Sequence, residues 1–209
     1  MRLILIRHGR QSSPLCNVDV DLSAEGIRQA ERLAERAKHW KPDRIYTSGL
    51  LRARQTAEIL FGKDAVFYER EALNEIDFGD LTGKPDRETR ITFSSYYEAK
   101  KRKEENLRIP GGESPKEVYE RAVTIVNEAI ASEAELVVFV THGGVIRALV
   151  AGLLGMGPEQ MLRIADGLEH SSVTELVYEK TAGCFSLERL NDYSHLEDYP
   201  ELLRNAWKK

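Results

Sequence analysis

A chain of 209 residues with a formal net charge of −4 fits a single domain that buries a sizeable core. The acidic balance argues against general nucleic-acid binding, and no run approaches the roughly 18 apolar residues that span a membrane. The apolar residues before Arg7 are too few for a signal peptide. Cys16 and Cys184 are too few for a disulfide framework and lack the spacing of a metal site. We therefore expect a cytoplasmic protein with reduced thiols and neither a membrane nor a nucleic-acid partner.

The first third of the chain predicts strands that alternate with helices. A short apolar run at residues 3–6 is typical of a buried parallel strand, and a polar loop follows at residues 10–22. Ser23 is suited to cap the next helix, which apolar residues at helical spacing extend to about Trp40. The next predicted elements are a strand at residues 45–47, a helix from Gly49 to about Phe61 and a strand at residues 65–68.

Residues 84–110 differ in character from what precedes them. Between residues 84 and 108 there are eight Lys and Arg side chains against five Asp and Glu, a local charge of +3 in an acidic protein. The aromatic residues Phe93, Tyr96 and Tyr97 indicate partial burial, so we interpret the segment as a partly helical insertion. Its basic character fits either the steering of anionic substrates or a solvated helical face.

Beyond the insertion the alternation resumes. Ser114 and Pro115 resemble the N-cap and first position of a helix that runs to about Ala131. Residues 136–140 are the strongest strand signal of the chain, and a helix follows it to about Leu154. Two late strands are predicted at residues 172–178 and 184–187. This pattern predicts one domain over residues 1–209, an α/β fold with a mainly parallel sheet between two helical layers, a three-layer α/β/α sandwich.

The triplet Arg7-His8-Gly9 comes directly after the first predicted strand. Residues just past the carboxyl end of such a strand reach the crevice in which open α/β sheets bind ligands. Arginine offers a charged donor fork suited to phosphate, histidine offers a nucleophilic nitrogen, and glycine permits a tight turn. The triplet predicts phosphoryl chemistry, although alone it also fits a structural histidine.

A similar motif, Thr141-His142-Gly143-Gly144, lies between the strongest strand and the helix that follows it. His142 is thereby expected at the same sheet edge as His8. The backbone amides of Gly143 and Gly144 are expected at a helix N-terminus, where free N–H groups favour an anion. Two histidines at one edge, each followed by glycine, favour a functional site over packing.

Four further residues are candidates for the same pocket. Arg52, in the first turn of a helix after a strand, can reach back over the sheet edge, although a solvated surface cation fits equally. Glu75 and Asp77 lie in a loop at residues 73–79 that is, in isolation, typical of an acidic surface. His170 precedes a predicted strand and could also reach the pocket, with a structural role as the alternative.

Six segments in this order together resemble the histidine phosphatase superfamily, the phosphoglycerate mutase-like proteins. They are Arg7-His8-Gly9, residues 22–30, residues 48–57, residues 73–79, Gly112-Glu113-Ser114 and Thr141-His142-Gly143-Gly144. The resemblance covers about residues 1–178. It implies an α/β domain with a helical insertion or lid over the active site, at about residues 84–110.

The resemblance also implies roles for individual residues. His8 matches the nucleophile that forms a phosphohistidine, and Glu75 matches the acid that protonates the leaving oxygen. The family's residues that hold the phosphoryl oxygens correspond here to Arg7, Arg52 and His142. Because phosphoryl transfer depends mainly on positioning and charge stabilisation, these cations suffice and would repel a divalent ion. We therefore expect no metal and no other cofactor.

The sequence departs from the commonest family pattern after Gly9. Many members continue with Glu, then Ser or Thr, and an Asn a few residues later, whereas this chain reads Arg10-Gln11-Ser12-Ser13-Pro14. Gln11, Ser12 and Asn17 are candidates to make the phosphate contacts that the Ser or Thr and the Asn of the commonest pattern would otherwise make. The departure leaves the chemistry clear and the substrate open.

The sequence thus favours a metal-independent phosphatase that hydrolyses a small phosphorylated metabolite, a phosphate monoester, through a phosphohistidine. A phosphoglycerate mutase is the alternative, although such mutases usually have a longer chain and the family continuation missing here. A phosphoprotein phosphatase fits if the insertion is open. A non-catalytic phospho-ligand-binding protein is disfavoured because His8, Arg52, Glu75 and His142 are all present. The natural substrate and the oligomeric state stay open.

Overall fold

The computed structural model describes residues 1–207, without the side chain of Trp207. A six-stranded sheet has the order β3-β2-β4-β1-β5-β6. Its strands are β1 Arg2–Arg7, β2 Arg44–Thr47, β3 Phe67–Glu69, β4 Leu136–Thr141, β5 Val173–Glu179 and β6 Cys184–Asp192. The first four are mutually parallel where they pair, whereas β5 and β6 are antiparallel to their neighbours. The prediction of an α/β fold with a mainly parallel sheet is confirmed.

Helices cover both faces of this sheet. They are α1 Ala24–Ala37, α2 Leu51–Phe61, α3 Asp86–Thr92, α4 Ser94–Lys101, α5 Pro115–Ala131 and α6 Gly143–Leu153. Short 3-10 turns include Glu71–Leu73 before the Glu75 loop and Pro158–Arg163 after α6. None of the helices within residues 1–207 combines the length and the apolar character needed to cross a membrane.

Alternation along β1 divides the core into two layers. Leu3 and Leu5 pack in the cluster formed with α5 and α6, and Ile4 and Ile6 pack in the cluster formed with α1 and α2. All four side chains are buried. Because successive strand residues point to opposite faces, one apolar run fills both layers, as the continuous pattern Leu3-Ile4-Leu5-Ile6 requires.

Two helix starts follow directly from their capping residues. The Ser23 hydroxyl accepts the Gly26 amide at the start of α1. Ser114 and Glu117 form a reciprocal capping box at the start of α5, which has Pro115 in its first turn. Each cap satisfies backbone amides that the first helical turn leaves without partners.

Several predicted boundaries differ from those of the structure. Helix α1 ends at Ala37 rather than near Trp40, and α2 starts at Leu51 rather than at Gly49, because Leu50 is in an extended conformation as the N-cap. The last strand extends to Asp192 rather than Leu187. Its residues are mostly exposed, so the apolar pattern that marks buried strands is absent there.

Candidate active site

The carboxyl ends of β1, β2 and β4 meet above a cavity of about 450 Å³. The loop after β1 forms one wall and crosses α1 closely: a Cβ at Gly9 would lie 2.5 Å from the Gly26 carbonyl oxygen. Only glycine fits this crossing. The predicted site residues that line the cavity are Arg7, His8, Gln11, Ser12, Asn17, Arg52 and Glu75.

His8 is buried, with 4 % of its surface exposed, and its ring is fixed at both nitrogens. Nδ1 lies 2.6 Å from the Gly9 carbonyl oxygen, which can only accept, so we assign the proton to Nδ1. The lone pair on Nε2 accepts a hydrogen bond from Arg52 Nε at 3.3 Å. Burial, followed by the charges of Arg52 and Arg7, holds the His8 pKa well below its ordinary value. The ring is therefore neutral and carries its nucleophilic lone pair on Nε2.

Arg52 reaches the site from the first turn of α2 and is held by the loop after β1. Its terminal nitrogens donate to the Val18 carbonyl at 2.9 Å and to the Asn17 side-chain oxygen at 3.1 Å. Asn17 in turn donates to the Ile76 carbonyl at 3.3 Å. Asn17 thus positions Arg52 through its side chain. Arg52 is 2 % exposed, and burial lowers its pKa from the ordinary value.

His142 lies fully buried at the N-cap of α6, with its ring centroid 4.8 Å from that of His8. Its Nε2 is 2.7 Å from the Ser48 hydroxyl, which also accepts the Leu50 amide. We assign the hydroxyl proton to this bond, so that Nδ1 carries the ring proton. Among the described residues Nδ1 has no hydrogen-bond partner, so this donor is not used within the protein. Burial, followed by His8 and the nearby arginines, keeps the His142 pKa well below its ordinary value.

Arg7 contributes a second guanidinium at the same edge. One of its terminal nitrogens donates to the Leu168 carbonyl, and its Nε is buried without a partner within the described residues. Burial and the charge of Arg204 lower the Arg7 pKa to about 9, still above neutrality. Arg7 is therefore charged and retains an unused donor.

Glu75 is held at the cavity by backbone amides. Its Oε1 accepts the amides of Ile76 and Gly144, each at 3.0 Å. The neighbouring Asp77 is exposed and instead closes a turn through the Gly79 amide at 2.8 Å. Of the two loop carboxylates, Glu75 is the one at the site.

The candidates for replacing the family's phosphate contacts have separate roles. The Gln11 amide donates to the Ser13 and Leu15 carbonyls, both at 2.8 Å, so its hydrogens shape the loop rather than face the cavity. Ser12 is exposed on the cavity wall. Gly143 begins α6 next to Arg7, and a Cβ there would lie 3.6 Å from Arg7 Nε.

The sequence did not decide whether His170 belongs to the site or has a structural role. It lines the cavity, is 9 % exposed, and its ring centroid lies 5.8 Å from that of His8. Because β5 runs antiparallel to β1, the residues before β5 lie where β1 ends. To place His170 at the site, one needs to know the direction of β5. The pattern of apolar residues in the sequence does not give that direction. Arg10, Cys16 and Phe78 also line the cavity; Arg10 and Phe78 lie in segments that the sequence marked without giving either residue a role, and Cys16 lies in no marked motif.

The site is a cluster of cations and neutral histidines rather than a ligand set for a metal. Residues 1–207 contain no group of three or more His, Cys, Asp or Glu side chains arranged to hold a metal ion. The arrangement instead offers a neutral nucleophile, His8, with the guanidinium groups of Arg7 and Arg52 and the carboxyl group of Glu75 around a common space.

A family model for the histidine phosphatase superfamily, branch 1, matches residues 3–193. The chain belongs to the histidine phosphatase superfamily. The resemblance stated from its motifs is thereby confirmed.

Curated relatives of this histidine phosphatase superfamily member carry names of two kinds. The 5''-phosphoribostamycin phosphatase of Niallia circulans is 32 % identical over 94 % of this chain and 99 % of that protein. Phosphoglycerate mutase-like protein 4 of Arabidopsis thaliana is 35 % identical over 70 % of this chain and 68 % of that protein. A 2,3-bisphosphoglycerate-dependent phosphoglycerate mutase of Beijerinckia indica is 31 % identical over 75 % of this chain and 83 % of that protein.

Solved structures agree with this membership. YhfR of Bacillus stearothermophilus superposes with a TM-score of 0.83 at 29 % identity and covers 94 % of this chain and 99 % of its own. A mycobacterial glucosyl-3-phosphoglycerate phosphatase with inorganic phosphate has a TM-score of 0.82 at 30 % identity, covering 93 % of this chain and 98 % of its own.

Proposed function

We propose that the protein is a metal-independent phosphatase that hydrolyses small phosphate monoesters through a phosphohistidine on His8. The observation that carries the proposal is the state of the His8 ring. Its Nδ1 proton is bound by the Gly9 carbonyl, so its lone pair is on Nε2, next to Arg52 Nε, in the wall of the cavity that Arg52 and Glu75 also line. Relatives named as phosphatases, which this chain matches over nearly all its length, support the same reading.

In the first step, His8 Nε2 attacks phosphorus and the bond between phosphorus and the ester oxygen breaks. The ester oxygen leaves with the proton of Glu75. Arg7, Arg52 and the Nδ1 donor of His142 stabilise the charge on the phosphoryl oxygens. The lone Nε2 pair becomes the phosphorus–nitrogen bond, and the alcohol departs neutral.

In the second step, a water molecule attacks the phosphohistidine and gives a proton to the Glu75 carboxylate. The phosphorus–nitrogen bond breaks, inorganic phosphate leaves, and His8 regains its neutral lone pair. Each residue ends as it began, so neither step consumes a cofactor. The guanidinium groups stabilise the negative charge on the phosphoryl oxygens, as a divalent cation does in other phosphoryl-transfer sites.

A phosphoglycerate mutase is the second candidate, because relatives named as mutases match this chain at 31 % identity. It would use the same phosphohistidine and return the phosphoryl group to a different oxygen. The departure at Gln11 and Ser12 from the commonest pattern favours hydrolysis.

A screen of phosphorylated metabolites separates the two candidates. We expect free phosphate from several esters, including 3-phosphoglycerate, unchanged by EDTA. Isomerisation of 3-phosphoglycerate without phosphate release, in the presence of a bisphosphoglycerate primer, would favour the mutase. Strong inhibition by EDTA would contradict the metal-independent mechanism. A cytoplasmic location and a small-metabolite partner stay predictions.

A further inference from the structure

One carbonyl oxygen at the edge of the site accepts hydrogen bonds from two guanidinium groups. The Leu168 carbonyl binds a terminal nitrogen of Arg7, and it also binds Nη1 of Arg204 at 3.0 Å. Arg7 lines the cavity, whereas Arg204 lies behind it, in the segment after β6, residues 193–206. Most of this segment lies beyond residues 3–193, which the family model matches. A residue outside the matched region thus binds the group that anchors a site arginine.

Arg204 holds the loop at residues 167–169 by more than this one bond. Its backbone amide donates to Glu169 Oε2 at 3.0 Å. Its guanidinium lies against Gly167 so closely that a Cβ at Gly167 would overlap the terminal nitrogen. From the other side, the Glu169 amide donates to the Asn191 side-chain oxygen at 2.7 Å. The position of the Leu168 carbonyl is therefore set in large part by Arg204.

The segment that carries Arg204 is itself anchored on α1. Leu202 is fully buried, and its carbonyl accepts Nε2 of Gln29 at 2.7 Å. Gln29 is also fully buried, and its Oε1 accepts the Arg10 amide at 2.9 Å. Because buried polar groups with satisfied hydrogen bonds fix local geometry, Gln29 ties this segment to the loop that follows His8. Arg204 is thereby delivered to the site by a rigid attachment.

The two guanidinium groups also influence each other through their charges. Burial, followed by the charge of Arg204, lowers the Arg7 pKa to about 9, whereas Glu75 and Glu169 act in the opposite direction. Two like charges on one acceptor repel each other. A phosphate monoester, which carries about −1.5 to −2 charges near pH 7, offsets that repulsion when it binds. The arrangement therefore favours a bound phosphoryl group.

The Leu168 anchor decides where the remaining donors of Arg7 point. A guanidinium is planar and rigid, so one fixed terminal nitrogen sets the direction of the others. Nε of Arg7, which has no partner within the described residues, is one of those donors. We infer that Arg204 is a positioning residue for Arg7: by holding the Leu168 carbonyl, it directs the Arg7 donors at the phosphoryl oxygens. The inference rests on the proposed function, since it requires a phosphoryl group in the cavity.

The substitution Arg204→Met removes the donor and keeps most of the side-chain stem. We expect the Kd of inorganic phosphate, measured by calorimetry, to rise by about tenfold or more, the magnitude of one charge-assisted hydrogen bond. The KM of p-nitrophenyl phosphate should rise with it. Arg28→Met is the matched control, because Arg28 forms an exposed ion pair with Glu201 of the same segment, and it should keep the wild-type Kd.

The substitution Gly167→Ala separates positioning from the charge of Arg204. Gly167 is not among the glycines with positive φ, so alanine keeps the backbone, and its Cβ displaces the flexible end of Arg204 without removing charge. We expect the phosphate Kd to rise as in Arg204→Met. A wild-type Kd in either variant would overturn the inference. In particular, a loss in Arg204→Met alone would reduce the role of Arg204 to its charge.

A double-mutant cycle tests whether Arg204 acts through Arg7. In an Arg7→Met background, Arg204→Met should change the phosphate Kd by less than about twofold, because the group that Arg204 positions is gone. Losses that add in full would show that Arg204 acts on the anion independently of Arg7, and would contradict the inference.

Thermal unfolding and active-site kinetics separate this role from a structural one. A residue needed only for folding would lower the Tm and the fraction of active protein, but it would leave the KM and the phosphate Kd of the folded molecules unchanged. That result in Arg204→Met would overturn the inference. His8-dependent hydrolysis of p-nitrophenyl phosphate by the wild type reports on the proposed function separately and would stand in that case. A wild type with neither this hydrolysis nor phosphate binding would overturn both.

Discussion

The imidazole of His8 shows how a few contacts set one residue's chemistry. The Gly9 carbonyl fixes the tautomer, Arg52 orients the lone pair, and burial keeps the ring neutral. A solvated histidine loses its lone pair to protonation near neutrality, whereas this ring keeps it to lower pH. The same two arginines that suppress protonation are those that receive the phosphoryl oxygens in the proposed mechanism.

The substitution Glu75→Gln tests whether Glu75 acts as the general acid for the leaving oxygen. We expect alkyl phosphates to lose roughly 100-fold or more in kcat, because their leaving oxygen needs a proton. p-Nitrophenyl phosphate should lose much less, since its leaving group departs as a stable anion. Steady-state kinetics on both esters measure the difference. Asp77→Asn, an exposed neighbour that closes a turn, is the control; equal losses for both esters in Glu75→Gln would count against a general acid.

Site residues could be predicted from the sequence where a motif directly follows a strong strand signal. The apolar run before Arg7 and the run before Thr141 placed His8 and His142 at one edge without any knowledge of the fold. Individual contacts were not predictable, since Gln11 and Asn17 were proposed only as replacements for the family's phosphate contacts after Gly9. In the structure Gln11 ties the loop and Asn17 orients Arg52, and their role as phosphate ligands stays a prediction.

At the scale of elements, the site depends on strands ending together and on helices that begin there. Parallel pairing of β1, β4 and β2 brings their carboxyl ends to one edge, and α6 begins directly after β4. The direction of β5 lay outside sequence reasoning because antiparallel and parallel buried strands have similar apolar patterns. That direction decides where His170 lies.

Gly144→Ala tests the contact between α6 and the Glu75 loop. A Cβ at Gly144 would lie 2.5 Å from Glu75 Oε1 and 2.8 Å from the Ile76 side chain. We expect the carboxyl group to be displaced, with kcat reduced by about 100-fold, the effect of an ångström-scale misplacement. Gly49→Ala is the matched control at the same edge, since its Cβ would make ordinary contacts at 3.5 Å or more. Wild-type kcat in Gly144→Ala would show that Glu75 needs no fixed position.

Across the whole molecule, buried neutral histidines couple the site to stability. The pKa values of His8, His142 and His170 lie well below their ordinary value, chiefly because of burial, and that of His195 is lowered to about 4. Below about pH 6.5 the unfolded chain binds protons at these rings and the folded protein does not. Folding stability is therefore full above that pH and falls as the pH decreases.

The expected result is a Tm that is level between pH 7 and 8 and declines between pH 6.5 and 5. Each such histidine contributes at most about 1.4 kcal/mol per pH unit. His170→Gln should make the decline shallower, and His39→Gln, at an exposed position, should leave it unchanged. Thermal unfolding across this pH range provides the measurement. A Tm that stays constant down to pH 5 would show that the rings are protonated in the folded state.

The central claim is that His8 carries the phosphoryl group. Acid-labile, alkali-stable phosphate should appear on the intact chain within the first turnover of p-nitrophenyl phosphate, and peptide mapping after a rapid alkaline quench should locate it on His8. His8→Ala should lack both the adduct and turnover, with a loss of about 10⁴-fold or more. Phosphate release at the wild-type rate from His8→Ala, or an adduct on another residue, would contradict the account.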